Sequence, residues 1–377
     1  MLDPRAPGGA TAKPQKSPGK VRERKRLSRA KFLAFFAERQ PAQVLLEACG
    51  SSHYWAREIA KLGHTLILLP PQYVRPYVQR SKTDSTDAKG MLEAFRNDKI
   101  HPVPVKTPEQ QTLTALHRLR SMWMRSRITR INTLRGLLRE FGHPIPVGAG
   151  QVVPRVWALI EDAEAEIPDP LRCPLAEACL EIRELEERIA TAERQMRQLA
   201  ADIPTVKHLQ TIPGIGLLTA TAMVAAVGDI QRFPSSRHFA NYLGLTPREN
   251  SSGGVRRLGK ITKQGDTYLR ALLVHGARAV LWAAKRKPRT DALRTWALAT
   301  QERRGHNKAA IALANKLARV CWAVWSRNET FRERPNPAAK AQKPRSMETA
   351  ESCPPSRPPA PSRRSHRPGD GEAHASK

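Results

Sequence analysis

A small α/β segment followed by a long all-α body is the fold class this chain predicts, on three observations. Two short apolar runs, Val44-Leu45-Leu46 and Thr65–Leu69, alternate with helical patterns near the N-terminus. From Asp84 onward, apolar residues recur at helical spacing. Between 175 and 199 that spacing becomes a heptad repeat, the pattern of a coiled-coil seam. At 377 residues the chain has length for two domains and a sizeable core.

Residues 1–28 are rich in Pro, Gly, Lys and Arg without apolar periodicity, so a disordered basic arm is expected there. Ser28–Arg39 reads as a short amphipathic helix carrying Phe32, Phe35 and Phe36 on one face. Val44–Leu46 is a buried strand ending at Glu47; Ser52–Leu62 is a helix stopped by Gly63; Thr65–Leu69 is a second strand closed by Pro70-Pro71. Helix, strand, helix, strand is the alternation of a partly parallel sheet, and the segment 29–145 forms the first domain. Pro108–Phe141 is a long helix, apolar along one face and rich in arginine elsewhere.

Residues 146–200 read as a linker and coiled coil, with Leu175, Ala178, Ile182, Leu185, Ile189, Ala192, Met196 and Leu199 as the seam. Such a seam joins two chains or packs an antiparallel hairpin of helices. A second domain, 201–332, carries helices at Leu217–Val227, Ser235–Leu243, Thr267–Ala284 and Lys308–Trp325. The stretch from 333 to 377 is a tail rich in Pro, Arg and Ser, with nine prolines after Arg334, and is expected to be unfolded.

The balance of 64 basic against 34 acidic residues leaves a formal charge of +30, which calls for a polyanionic partner. Nucleic acid is the strong reading and an acidic membrane surface the weaker one. No apolar run approaches the ~20 residues that span a bilayer, and no signal-type core opens the chain, so a cytoplasmic protein is expected. Cys49, Cys173, Cys179, Cys321 and Cys353 make no Cys-x-x-Cys pair, which predicts reduced thiols and no zinc site.

Four constellations could carry chemistry. Glu47, at the carboxyl end of a strand, could join Asp84 and Asp87, three apart at a helix start, to hold magnesium or manganese. Asp84 as an N-cap and Asp87 as a first-turn acid is the plainer alternative. Ile212–Gly216, IPGIG, reads as the turn of a helix-hairpin-helix, with Gly214 and Gly216 letting backbone approach phosphate, or as a tight connector. Ser251 and Ser252 precede Gly253-Gly254, with Arg256, Arg257, Lys260 and Lys263 close behind. That segment suits a nucleophile with room for a bulky phosphodiester, and equally a loop that only grips phosphate. Arg118, Arg120, Arg125, Arg127 and Arg130, on the long helix with few acids beside them, could contact a phosphate backbone. His101, His117 and His275 stand isolated and receive no role.

Taken in order, EACGSSHYWAREI, KTDSTDAKG, TIPGIG and NYLGLTPRENSSGGVRRLGKITKQGDTYLRALLVHGARA resemble a bacterial insertion-sequence transposase of the one-ten family, similar to pilin-gene invertases. The resemblance spans roughly 27–325 with four motifs in register. It implies a RuvC-like N-terminal domain of ribonuclease H fold, a coiled coil and a C-terminal serine transposase domain. It also implies DNA as substrate, a structured guide RNA, a homo-oligomer, and a DEDD carboxylate set binding magnesium. Glu47, Asp84 and Asp87 match that set; Ser252 is the matched nucleophile, with Ser251 as the fallback.

The family pattern opens with a strand carrying the first aspartate, in a context like Gly-Ile-Asp. Here VRERKRLSRA stands in its place, and Asp3, beside Pro4 and without apolar flanks, is a poor substitute. A partial RuvC-like domain is therefore expected, one carboxylate short, as in a truncated or frame-altered copy. Two functions of different class follow: a recombinase working through phosphoserine, or a catalytically silent relic that keeps its nucleic-acid contacts. A junction nuclease using the carboxylates alone leaves the serine block unexplained.

Overall fold

A computed structural model describes residues 23–78, 83–286 and 291–333. The expected basic arm up to residue 22 and the proline-rich tail from 334 onward lie outside them.

A turn of 3₁₀ helix (Arg29–Lys31) leads into α1 (Phe32–Ala37), shorter than the helix expected over 28–39. Its aromatic residues pack edge-on: Phe32 meets Phe36 and Trp55, and Phe36 meets the His64 ring. β1 (Gln43–Glu47), α2 (Ser52–Lys61) and β2 (Thr65–Leu69) follow as the alternation predicts. The two strands are parallel, with Gln43 opposite Thr65 and Glu47 opposite Leu69. Among the described residues the sheet has these two strands, extended by a single bridge from Leu68 to Val103. α3 (Pro71–Val74) and α4 (Asp84–Arg96) close one side, burying Leu69, Val74 and Ala94 together.

α5 (Pro108–Glu140) is the longest helix described. Thr107 caps it, accepting from the Gln110 amide while Gln110 reaches back to the Thr107 amide. α6 (Val152–Glu161) has no counterpart in the sequence pattern; Gly148, Gly150 and Pro154 disguise its apolar face. α7 (Asp169–Ala200) runs antiparallel to α5, with Arg120, Arg127 and Arg130 meeting Glu193, Glu186 and Glu181 in turn. Of the two uses a heptad seam allows, the fold takes the hairpin within one chain. Its buried side chains include Cys179 and Ala200, where the sequence suggests Ala178 and Leu199; Leu199 is 37% exposed. The drift from a strict heptad follows α7's contacts, first with α5 and α6, then with α9.

The second half is helical: α8 (Pro204–Gln210), α9 (Leu217–Val227), α10 (Ser236–Tyr242), α11 (Thr267–Arg286), α12 (Ala292–Arg304) and α13 (His306–Arg327). A single core joins them, with Phe239, Leu273 and Leu317 wholly buried. α12 is absent from the sequence expectation, and two strands, β3 (Pro247–Glu249) and β4 (Leu258–Ile261), pair antiparallel in place of the expected loop. No described helix is long and apolar enough to cross a membrane.

His117, isolated in the sequence, joins the two halves. It is 4% exposed on α5, and its ring nitrogens lie 3.0 Å from the Tyr268 hydroxyl on α11 and 2.9 Å from Thr221 Oγ1 on α9. Burial, with Arg120 adding to it, pushes its pKa down from 6.5 to about 4. Between those values the unfolded chain binds a proton that the folded chain does not, so stability rises with pH across the window and falls on acidification. We expect this one group to cost about 3 kcal/mol as pH drops through the window, since each pH unit between the two values is worth ~1.4 kcal/mol. Urea unfolding at stepped pH measures it, and His117→Gln should flatten that part of the profile.

Candidate active site and nucleic-acid interface

The serine segment is the tip of the β3–β4 hairpin. Gly253 and Gly254 both have positive φ, 57° and 75°, and Ser252 bridges Val255 across them. Two consecutive left-handed residues make the tight turn that matches strand twist, which explains a Gly-Gly pair there. The pair is thus a hairpin signal as well as a source of space for a substrate. Every side chain from 251 to 260 is exposed, so the tip stands in solvent.

The two serines differ in their surroundings. Ser251 Oγ donates to Glu249 Oε1 at 2.8 Å and accepts the Arg257 amide at 3.1 Å, tying the hairpin across its neck. Glu249 is paired in turn with Arg256 at 3.4 Å. Ser252 makes no side-chain hydrogen bond among the described residues. Arg257, Lys260 and Lys263 have no acidic partner among the described residues, so three of the four expected cations are available to an anion.

The IPGIG turn links α8 to α9 and is more enclosed than a phosphate-gripping loop requires. Ile212 and Ile215 are buried. A Cβ on Gly214 would lie 2.7 Å from the Gly276 carbonyl oxygen of α11, and one on Gly276 would lie 2.0 Å from the Gly214 oxygen. These two glycines let a turn and a helix touch backbone to backbone, which is the connector reading. Gly216, at the start of α9, has open space around it.

Three of the five arginines named on α5 have partners. Arg120 donates to Glu193 at 2.6 Å, Arg127 to Glu186 at 2.7 Å, and Arg130 to Glu181, so the acids missing from α5 itself are supplied by α7. Arg118 and Arg125 are exposed and have no acidic partner among the described residues.

Glu47 ends β1, exposed, beside Arg29, Phe32 and Trp55. Asp84 and Asp87 lie in the first turn of α4, Asp84 exposed and Asp87 half-buried. The N-cap is Thr83 rather than Asp84: its hydroxyl accepts the Thr86 amide, and Thr86 returns the bond. Among the described residues no three acidic, His or Cys side chains converge as metal ligands. The carboxylates as they stand do not fit a magnesium site.

We expect Ser251→Ala to loosen the hairpin neck by about 1 kcal/mol, speeding exchange of the Arg257 amide roughly fivefold. Ser252→Ala should leave it unchanged. Amide hydrogen exchange followed by NMR reads both, and equal rates in the two variants would contradict this division of roles.

Comparison with known proteins bears on both halves. A profile for the transposase IS116/IS110/IS902 family matches residues 206–293, and a profile for the DEDD transposase of IS110 type matches 15–143. A probable family 20 transposase of Pseudomonas aeruginosa is 44% identical over 313 residues, 82% of this chain and 91% of that protein. The transposase for insertion sequence element IS1328 of Yersinia enterocolitica is 37% identical over 84% of this chain and 93% of its own length. A pilin gene-inverting protein of Moraxella bovis is 32% identical over 160 residues, 41% of this chain and 48% of that protein.

Proposed function

The chain belongs to the IS116/IS110/IS902 family of insertion-sequence transposases, and from that premise we propose that it exchanges DNA strands through a covalent serine intermediate. The DEDD description of its first half implies divalent-metal use in the family generally. Glu47, Asp84 and Asp87 form no three-ligand metal group among the described residues.

The observation that carries the reading is the hairpin tip. Ser252 is exposed, unbonded and followed by two glycines, with Arg257 and Lys260 close behind it in sequence and unpaired among the described residues. Its Oγ attacks phosphorus of a bound strand. An O–P bond forms, the bond to the leaving sugar oxygen breaks, and the serine proton is made good on that oxygen. A strand hydroxyl then attacks the phosphoserine: its O–P bond forms as the bond to Ser252 Oγ breaks, and its proton returns to that Oγ. The cations hold the phosphate and offset the charge that builds at its oxygens. Ser251 braces the hairpin and is the fallback nucleophile, since Glu249 lies within reach to take its proton.

Partners follow from this reading. DNA is the substrate, in the cytoplasm, and a structured guide RNA is proposed from the family likeness. A homo-oligomer is proposed too, but not through the α7 seam, which α5 covers. One observation favours the competing reading, a silent nucleic-acid-binding relic: the separated carboxylates.

Recombination between element-end and target DNA tests the proposal. We expect Ser252→Ala to lose activity by about 10³-fold or more, together with the protein–DNA adduct seen on a denaturing gel. Equal activity in wild type and variant removes the assignment. A wild type that binds DNA yet neither cleaves nor forms adduct supports the relic.

A further inference from the structure

Along its N-terminal half, α5 forms a cleft of about 810 Å³ with α9 and the start of α11. One wall carries Lys106, Arg118 and Arg125, with Leu119 and Met122 between the arginines. Leu119 and Met122 are 41% and 45% exposed, although they are apolar. α9 contributes the small side chains of Ala222, Ala225 and Ala226, and α11 adds Tyr268 and Leu269.

The cations are poorly matched by the protein itself. Lys106 is half-buried and its ammonium donates to Thr114 Oγ1 at 3.3 Å. Burial first, and the neighbouring Arg118 second, lower its pKa, with Asp266 opposing. Asp266, the carboxylate lining this cleft, is engaged in capping α11: its Oδ1 accepts the Tyr268 and Leu269 amides at 2.8 and 3.0 Å. His117 on the floor is neutral above about pH 4, so it adds no charge. Like charges gathered at a cleft without paired carboxylates favour a bound anion.

We propose that this cleft takes one unstacked nucleotide of the DNA substrate, its phosphate on Lys106 and Arg118 and its base against Leu119 and Met122. The volume suits a small ligand of that size and cannot admit a duplex. Free phosphate would leave the apolar wall unused, while a base face packs well against a polarizable methionine. Strand exchange disrupts pairing at the junction, so nucleotides free of the stack are available to it. The inference rests on DNA being the substrate and does not depend on which serine reacts.

Fluorescence anisotropy with the full chain tests it, using a paired duplex and the same duplex bearing one extra unpaired nucleotide. Wild type should bind the second roughly tenfold more tightly, on the scale of one base stack. Met122→Glu, at a position 45% exposed, should bring the two duplexes to equal affinity. Arg118→Ala should reduce it. As a control on DNA binding itself, Arg257→Ala with Lys260→Ala should weaken both duplexes alike. Equal binding of the two duplexes by wild type, or a preference that survives Met122→Glu, overturns the cleft and leaves the DNA reading standing. Failure to bind either duplex overturns both.

Discussion

The packing of α7 along α5 is the interaction on which the rest of the structure depends. Its apolar seam, from Leu175 to Ala200, buries one side chain after another at heptad spacing against α5, α6 and α9. Beside it run three arginine–glutamate pairs, from Arg120 with Glu193 to Arg130 with Glu181. Such partly exposed pairs contribute at most about 1 kcal/mol each, so the seam supplies the stability and the pairs fix the register. With that register set, the N-terminal part of α5 meets the C-terminal half of the protein at His117. The same helix thus ends one family match, 15–143, and leans on the elements of the other, 206–293.

This arrangement divides the positive charge into two kinds. Arg120, Arg127 and Arg130 serve the fold, and their charge is matched inside the molecule. Arg118 and Arg125 on α5, Arg257 and Lys260 on the hairpin, and Lys263 just after it have no acidic partner among the described residues. These five cations are a small share of the +30 formal charge, which runs along the whole chain. The serine tip projects into solvent on a short two-stranded support, and elsewhere Gly214 and Gly276 bring the IPGIG turn against α11 backbone to backbone. The proposed nucleophile therefore reaches outward, an arrangement fitted to a large substrate.

Much of this is legible from residue order, and the exceptions have physical reasons. β1, β2, α2, α5, α9 and α11 announce themselves because each is an unbroken apolar run or a periodic segment with a Pro, Gly or capping residue near an end. α6 and α12 do not: Gly148 and Gly150 precede one and Pro154 stands in its first turn, while the other buries only Leu293, Ala297 and Thr300. The hairpin is hidden because β4 is an exposed strand, with no buried alternation to betray it; Gly253-Gly254 is the available cue. The arginine face on α5 misleads for a different reason. Its counter-charges sit some 50 to 75 positions away on α7, a distance that local reading does not bridge. His117 escapes notice on the same ground, since Thr221 and Tyr268 are remote in sequence. Residue placement suggests the carboxylate trio and family likeness matches it, but its members on β1 and α4 form no three-ligand metal group among the described residues.

Reversing one charge pair tests directly whether the α5–α7 seam closes within one chain. Arg127→Glu and Glu186→Arg would each be melted alone, together in one polypeptide, and as an equimolar mixture of the two single variants. Each single change should lower the melting temperature, and only the double variant should recover it. Recovery in the mixture would mean that the seam pairs helices of different chains, and would contradict closure within one chain.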